Sequence, residues 1–265
     1  MKKLLSLLVA AVMVFSFAGC SNKTDSNNET GKSNSDLEYI KNKGTMVVGI
    51  TDYEPMDYKD ESGNWTGFDA EFAEAVAKEL GVKAEFIEID WDNKIMELDS
   101  KSIDCVWNGM TLTDEVKNGM NCTDPYVINA QVVVMSKDKV DNYKSVEDFK
   151  DVKFAAEAGS AGEAAIKDSG YECTAVSTQA DALMEVSSGA ADACVIDITM
   201  ANAMTGEGTS YANLKAGISL TEEEYGIGFR KGSDMTDKVN EIMANFKKDG
   251  TLKKLADKYK LTIAE

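Results

Sequence analysis

The sequence predicts an α/β fold with mainly parallel sheets. From residue 45 onward, short β-branched or apolar runs alternate with amphipathic helical stretches, the pattern of strands linked through helices. Beyond the leader described below, roughly 230 residues remain, enough for one large domain or two of ordinary size. No internal repeat breaks the alternation, and no second apolar run approaches membrane-spanning length.

Each element follows from its own residues. Met46–Ile50 is a short β-branched strand. Phe68, Phe72, Val76 and Leu80 recur every four residues, one stripe of a helix, and Gly81 supplies its C-cap. Lys83–Ile89 alternates as a strand, Lys94–Leu98 is helical and Ile103–Trp107 is an apolar strand. Gln131–Met135 and Val152–Ala156 are β-runs; Ala161–Lys167 and Gln179–Ser187 are helices. Ala193–Ile196 is a strand, Ile198–Met204 a helix and Tyr225–Phe229 a strand. Thr236–Lys248 and Leu252–Tyr259 close the chain as two helices broken at Gly250.

The first twenty residues are a targeting segment. Lys2 and Lys3 precede an apolar run from Leu4 to Ala18, too short to span a bilayer, and Phe17-Ala18-Gly19-Cys20 closes it. This resembles a bacterial lipoprotein signal, with 1–19 removed and Cys20 lipidated; Phe17 stands where most such signals carry Leu. A plain secretory signal with a chance cysteine is the alternative, and both place the protein outside the cytoplasm. Residues 20–36 carry Ser, Asn and charge, with no apolar side chain after Cys20, and read as a flexible tether. The folded body is expected to begin near Leu37.

Composition narrows the function. There are 28 Lys and Arg against 46 Asp and Glu, a net charge of −18, which becomes −20 without Lys2 and Lys3. A chain this acidic lacks the basic face nucleic acid requires, and any membrane attachment rests on lipid at Cys20. There is no histidine, hence no Ser-His type triad and none of the commonest metal ligand. Cys105, Cys122, Cys173 and Cys194 form no Cys-x-x-Cys pair, and there is no phosphate-binding P-loop, so no metal or cofactor is expected. Disulfides 105–122 or 173–194 are open alternatives in an oxidising exterior.

Six phrases, in order from about residue 45 to 260, resemble the family 3 extracytoplasmic solute-binding proteins, the amino-acid receptors of ABC importers. They are Gly49-Ile50-Thr51-Asp52-Tyr53 with Pro55-Met56, Gly67-Phe68-Asp69-Ala70-Glu71, the run from Asp104 to Glu115, Thr123-Asp124-Pro125-Tyr126, Ser145-Val146-Glu147-Asp148-Phe149, and Tyr225 to Ser233. The resemblance implies a type II periplasmic-binding-protein fold: two lobes, each with a mixed sheet, joined by two crossover strands. Lobe 1 would be 37–129 plus 222–265, and lobe 2 130–221 with hinge strands at its ends. A small ligand would sit between the lobes and be enclosed by hinge closure. The partners implied are a small amino acid or amine and the membrane subunits of an ABC permease, for a monomeric receptor without catalytic residues.

The resemblance also implies the site. Asp52 and Tyr53 lie on the first ligand loop, and Tyr53 or Trp91 would stack on the ligand. Asn108, Gly109 and Thr111 follow a buried strand, where glycine allows close backbone approach. Gly159, Ser160 and Ala161 precede a helix whose free N–H groups attract an anion. Asp197, at the end of an apolar strand, would take the ligand's ammonium; a plain helix N-cap is the alternative. Glu157 stands where relatives often carry Lys or Gln. Val116 stands where the family pattern has the arginine that clamps the ligand carboxylate, and Lys117 would point about 100° away on a helix. Arg230, the one arginine, is expected outside the cleft. A buried charge without its partner costs roughly 3–5 kcal/mol, two to three orders of magnitude in affinity. Two readings follow: an amino acid whose carboxylate is held by the Ser160 helix start and Thr111, or a carboxylate-free, polyamine-like cation selected by Asp52, Glu157 and Asp197. A secreted dehydratase on the same fold, with Glu157 or Asp197 as its acid, and a sensor ectodomain are the remoter alternatives.

Overall fold

The computed structural model describes residues 35–265. The leader, Cys20 and the tether up to residue 34 lie outside the described residues. The elements run as follows. Helix α1 (Asp36–Lys43) leads into β1 (Thr45–Ile50), the small hairpin β2 (Tyr58–Lys59) and β3 (Trp65–Thr66), then α2 (Phe68–Leu80) and β4 (Lys83–Glu88). A 3-10 turn at Trp91–Asn93 precedes α3 (Lys94–Asp99), β5 (Cys105–Thr111), α4 (Asp114–Gly119), β6 (Asn121–Cys122) and β7 (Val127–Asn129). The chain then crosses into β8 (Gln131–Ser136), β9 (Phe154–Glu157), α5 (Ala161–Asp168), β10 (Cys173–Val176), α6 (Gln179–Ser188), β11 (Ala193–Asp197), α7 (Ile198–Met204) and β12 (Leu214–Ser219). It returns through β13 (Glu223–Phe229) and ends in α8 (Met235–Asp249) and α9 (Thr251–Tyr259).

Two sheets result. One has the order β4-β1-β5-β13-β6 with β7 also on β13; the other has the order β10-β9-β11-β8-β12. The mainly parallel expectation holds only in part of each. Strands β4-β1-β5 and β10-β9-β11 are parallel, whereas β13 runs antiparallel to β5 and β8 antiparallel to β11 and β12. The reversed strands are those that follow a crossing between sheets, which enter against the local direction. The two crossings run side by side: Leu220 N–H donates to Gln131 O at 2.8 Å, and Asn129 pairs with Glu223.

The α2 stripe behaves as its spacing dictates. Phe68, Phe72, Val76 and Leu80 are all buried, Phe72 meets Trp107 edge-on at 4.9 Å, and Gly81 closes the helix at φ 77°. Phe149 and Phe154 pack edge-on at 5.5 Å in the other lobe. Two expectations need correction. The tether does not extend to Asp36: Ser35 caps α1 by accepting from Glu38 N–H at 3.0 Å, and buried Asp36 pairs with Arg230 at 3.0 Å. Residues 108–111 are not a turn after a strand but the end of β5 itself, because β13 continues to pair with it through Met110 and Thr111. The four described cysteines, Cys105, Cys122, Cys173 and Cys194, are free thiols, so neither disulfide alternative is formed.

Candidate ligand-binding cleft

Between the lobes lies a cavity of about 320 Å³. It forms beyond the C-terminal ends of the parallel strands, β5 from lobe 1 and β9 and β11 from lobe 2, where α/β sheets commonly bind ligands. Nine of the eleven residues predicted for the site line it: Trp91, Asn108, Gly109 and Thr111 on one wall, Glu157, Gly159, Ser160, Ala161 and Asp197 on the other.

Asp52 and Tyr53 do not. Asp52 is exposed, and partial desolvation followed by the nearby Glu88 holds its carboxyl above the usual range. Tyr53 is buried in the wall behind the cavity, because a tight turn folds it inward, with Tyr53 N–H donating to Asp57 O at 2.7 Å. Its hydroxyl bonds those of Thr199 and Tyr225, and its ring lies so close to Gly109 that a Cβ there would fall 2.5 Å from Cε1. Gly109, at φ +55°, therefore lets Tyr53 support β5 from behind.

Asp197 is the most closely held group. It stands at the start of α7, yet its side chain makes no capping bond to that helix. Oδ1 instead accepts from Asn129 Nδ2 and from Gln131 Nε2, the latter at 2.8 Å, and Oδ2 accepts from Gln179 Nε2. Asn129 and Gln131 also donate to Glu223 Oε1, at 2.6 and 2.7 Å, and so does the Thr111 hydroxyl at 2.7 Å. Two carboxylates thus share amide donors at the hinge. Burial first, then Glu223, pushes the Asp197 carboxyl up to about 7 despite these donors. Thr111, predicted as a ligand contact, has its proton committed to Glu223.

Glu157 ends β9 and is sealed from water, with Oε1 unpartnered among the described residues. Burial and then Asp197 raise its carboxyl well above the ordinary range, while Lys94 opposes them. At the start of α5, the Ser160 hydroxyl accepts from Glu163 N–H and the Glu163 carboxylate accepts from Gly159 N–H. That leaves the Ala161 and Gly162 N–H groups without partners among the described residues.

Three of the ten lining residues that were not predicted shape the site. Gln131 and Gln179 hold Asp197, and each is a polar residue opening an apolar or buried element, a signal the sequence does carry. Lys94 is only 4% exposed; its ammonium donates to Trp91 O at 3.2 Å and, across the cleft, to Gly159 O at 3.0 Å. Val116 lines the cavity and puts an apolar group there, whereas Lys117 and Arg230 do not reach it. A larger, more open groove of about 1160 Å³ lies elsewhere between the lobes, near Tyr58, Asn202 and Lys258. The buried carboxyls of Asp197 and Glu157 are in the smaller cavity, which is therefore the candidate site.

Comparison with known proteins agrees with this architecture. Residues 46–262 match the family model of the bacterial extracellular solute-binding proteins, family 3. The L-cystine-binding protein TcyJ of Escherichia coli K12 is 30% identical over 227 residues, covering 84% of this chain and 85% of that protein. The arginine-binding extracellular protein ArtP of Bacillus subtilis 168 is 33% identical over 268 residues, 98% of each. Among solved structures, the ancestral amino acid-binding protein AncCDT-1, a precursor of cyclohexadienyl dehydratase, matches with a TM-score of 0.78 at 38% identity, over 85% of this chain and 99% of that one.

Proposed function

We propose that this chain, which belongs to the bacterial extracellular solute-binding proteins of family 3, is the lipid-anchored receptor of an ABC importer. It holds a small amino acid or related amine between its lobes and presents it to the permease as a monomer. The observation that carries this reading is Asp197, a buried carboxylate held by three amide side chains at the edge of a cavity sized for such a ligand. An ammonium group there would supply the counter-charge that the amides only approximate. The named relatives bind cystine and arginine, both α-amino acids. Cys20 would carry the lipid, and the tether would let the body reach the permease. No covalent step belongs to this reading.

One observation favours a second reading. Asp114, Glu115, Glu157, Asp168 and Asp197 all line the cavity against a single lysine, a balance that suits a carboxylate-free cationic amine. A thermal-shift panel on protein refolded to remove carried-over ligand separates the two. The panel would hold the twenty amino acids, ornithine, citrulline, cystine and polyamines. A ligand at about 100 times its Kd adds about 2.7 kcal/mol, a shift of several degrees. Stabilisation by amino acids supports the first reading, stabilisation by polyamines alone the second, and a flat panel refutes both.

A further inference from the structure

We infer that Lys94 is the specificity-determining cation of the cleft: its ammonium takes the ligand's carboxylate and, in the same position, ties the two lobes together. The inference rests on the cleft being an amino-acid site and names the group that selects a carboxylate there.

The geometry is unusual for a lysine. Lys94 opens α3 and its side chain turns inward under the Trp91 ring, with Nζ 5.0 Å from the ring centroid. An ammonium carries three N–H donors. Two are used, one by Trp91 O of its own lobe and one by Gly159 O of the other. Both acceptors are neutral carbonyls, and Lys94 forms no ion pair among the described residues. A buried cation in this state has no carboxylate within ion-pair distance, and Glu115, Glu157 and Asp92 act on it only from farther off. The third donor is left for the cavity that Lys94 lines.

A second, independent feature points to the same spot. The Gly159 carbonyl that Lys94 touches belongs to the turn into α5, whose Ala161 and Gly162 N–H groups are unpartnered among the described residues. A helix N-terminus and a buried ammonium both favour an anion. Their convergence gives one side of the cavity donors for an anion, while Asp197, held at the hinge, offers an acceptor for a cation. A molecule carrying both an ammonium and a carboxylate matches both; a pure polyamine would place a cation against Lys94.

The contact with Gly159 also explains why closure would depend on this end. Gly159 sits against Asp92 of lobe 1, so closely that a Cβ would lie 2.9 Å from Asp92 Cα. Lys94 bonds the same residue's carbonyl, so a carboxylate received there is held at the seam between the lobes.

The test uses matched pairs that differ only in the carboxylate: L-ornithine and putrescine, L-lysine and cadaverine, L-arginine and agmatine. Binding of each to the whole chain, to K94M and to K94R is measured by calorimetry alongside the melting temperature. The expected result is that the wild type prefers the amino acid of at least one pair. K94M should lose about 10- to 100-fold more for that amino acid than for its amine, the size of one charged hydrogen bond, and K94R should keep the preference. K94M should fold, since replacing a buried charge by an apolar side chain of similar volume is often neutral or stabilising. Equal losses for both members of a pair, or a lower melting temperature with unchanged discrimination, would overturn the role of Lys94 and leave the amino-acid reading intact. A wild type that binds amines but no amino acid, or neither class in a wider panel, would overturn the amino-acid reading itself.

Discussion

Arg230 and Lys94 are both nearly sealed from water, yet their surroundings differ in kind. Arg230 has the Asp36 carboxylate at 3.0 Å, Asp104 at 3.6 Å, and the Ile103 carbonyl at 2.8 Å. Lys94 has two carbonyls and no carboxylate within ion-pair distance. The first cation joins the start of α1 to the loop before β5, deep in lobe 1; its charge is matched within the chain. The second stands in the cleft with a donor to spare. The ion-paired cation serves the fold, and the one held by carbonyls alone stands where a ligand can reach it.

The same contrast separates two carboxyls. Asp69 accepts from Gly109 N–H at 2.6 Å and from the Tyr126 hydroxyl at 2.8 Å, wholly within lobe 1. Asp197 accepts from amides at the hinge and faces the cavity. Burial pushes both to about 7. They differ in what they touch, and variants at each should diverge accordingly.

The largest effect is expected at Arg230. R230M leaves Asp36 and Asp104 buried without their cation, and Asp104 then depends on Lys43 at 2.6 Å alone. Unfolding free energy in urea should fall by about 3–5 kcal/mol, with ligand affinity of the folded fraction unchanged. A variant of wild-type stability would break the comparison at its structural end. Next is D197N. Ligand affinity should drop by about two to three orders of magnitude, as for a buried pair that loses one member. The ligand-free protein should melt higher at pH 8, because the substitution removes a buried charge facing Glu223. A variant that loses stability and binding together would move Asp197 to the structural class.

The residues that the sequence exposes and those it hides sort along the same line. The α2 helix is legible to its last residue, since a four-residue apolar stripe ending in glycine has one solution. Strands β10 and β12 are missed because they are sheet edges with half their side chains in solvent, so no apolar run marks them. Helix α1 is missed because polar residues dominate it and its anchor, Arg230, lies 194 positions away. In the cleft, Asn108, Gly109 and Thr111 sit in a phrase of fixed order, whereas Tyr53 is misplaced because a tight turn sets its ring behind Gly109. Lys94 is invisible for a different reason. A lysine three residues after a tryptophan reads as a solvated helix start, and only the approach of Gly159 from the other lobe buries it.

Gly159 offers a smaller and more selective probe. Its φ of +66° favours glycine, and an added Cβ meets Asp92 Oδ1 at 2.6 Å. The side-chain atom can move, but Asp92 Cα at 2.9 Å cannot do so cheaply. G159A should weaken ligand binding by about tenfold, combining left-handed strain with a seam that no longer closes fully, an effect on the order of 1–3 kcal/mol. Small-angle scattering should report a more open ligand-saturated form than the wild type. An unchanged radius of gyration with weaker binding would confine the effect to local strain.

The finest distinction lies in proton linkage. A carboxyl near 7 in the folded chain and near 3.9 in the unfolded one keeps its proton longer when folded. These groups should therefore contribute their full stability to the ligand-free protein below about pH 4, lose it as pH rises toward about 7 and contribute no further change above it. Asp69 and Asp197 contribute alike to that curve. An ammonium ligand, however, binds the anionic form of Asp197 only. Affinity should weaken by up to about tenfold per unit as pH falls below 7, and calorimetry at pH 6.5 in buffers of different ionisation heat should show proton release on binding. D197N should abolish that release while the pH dependence contributed by Asp69 persists. If proton release survives in D197N, Glu157, the other buried acid of the cleft, is the group that meets the ligand's cation.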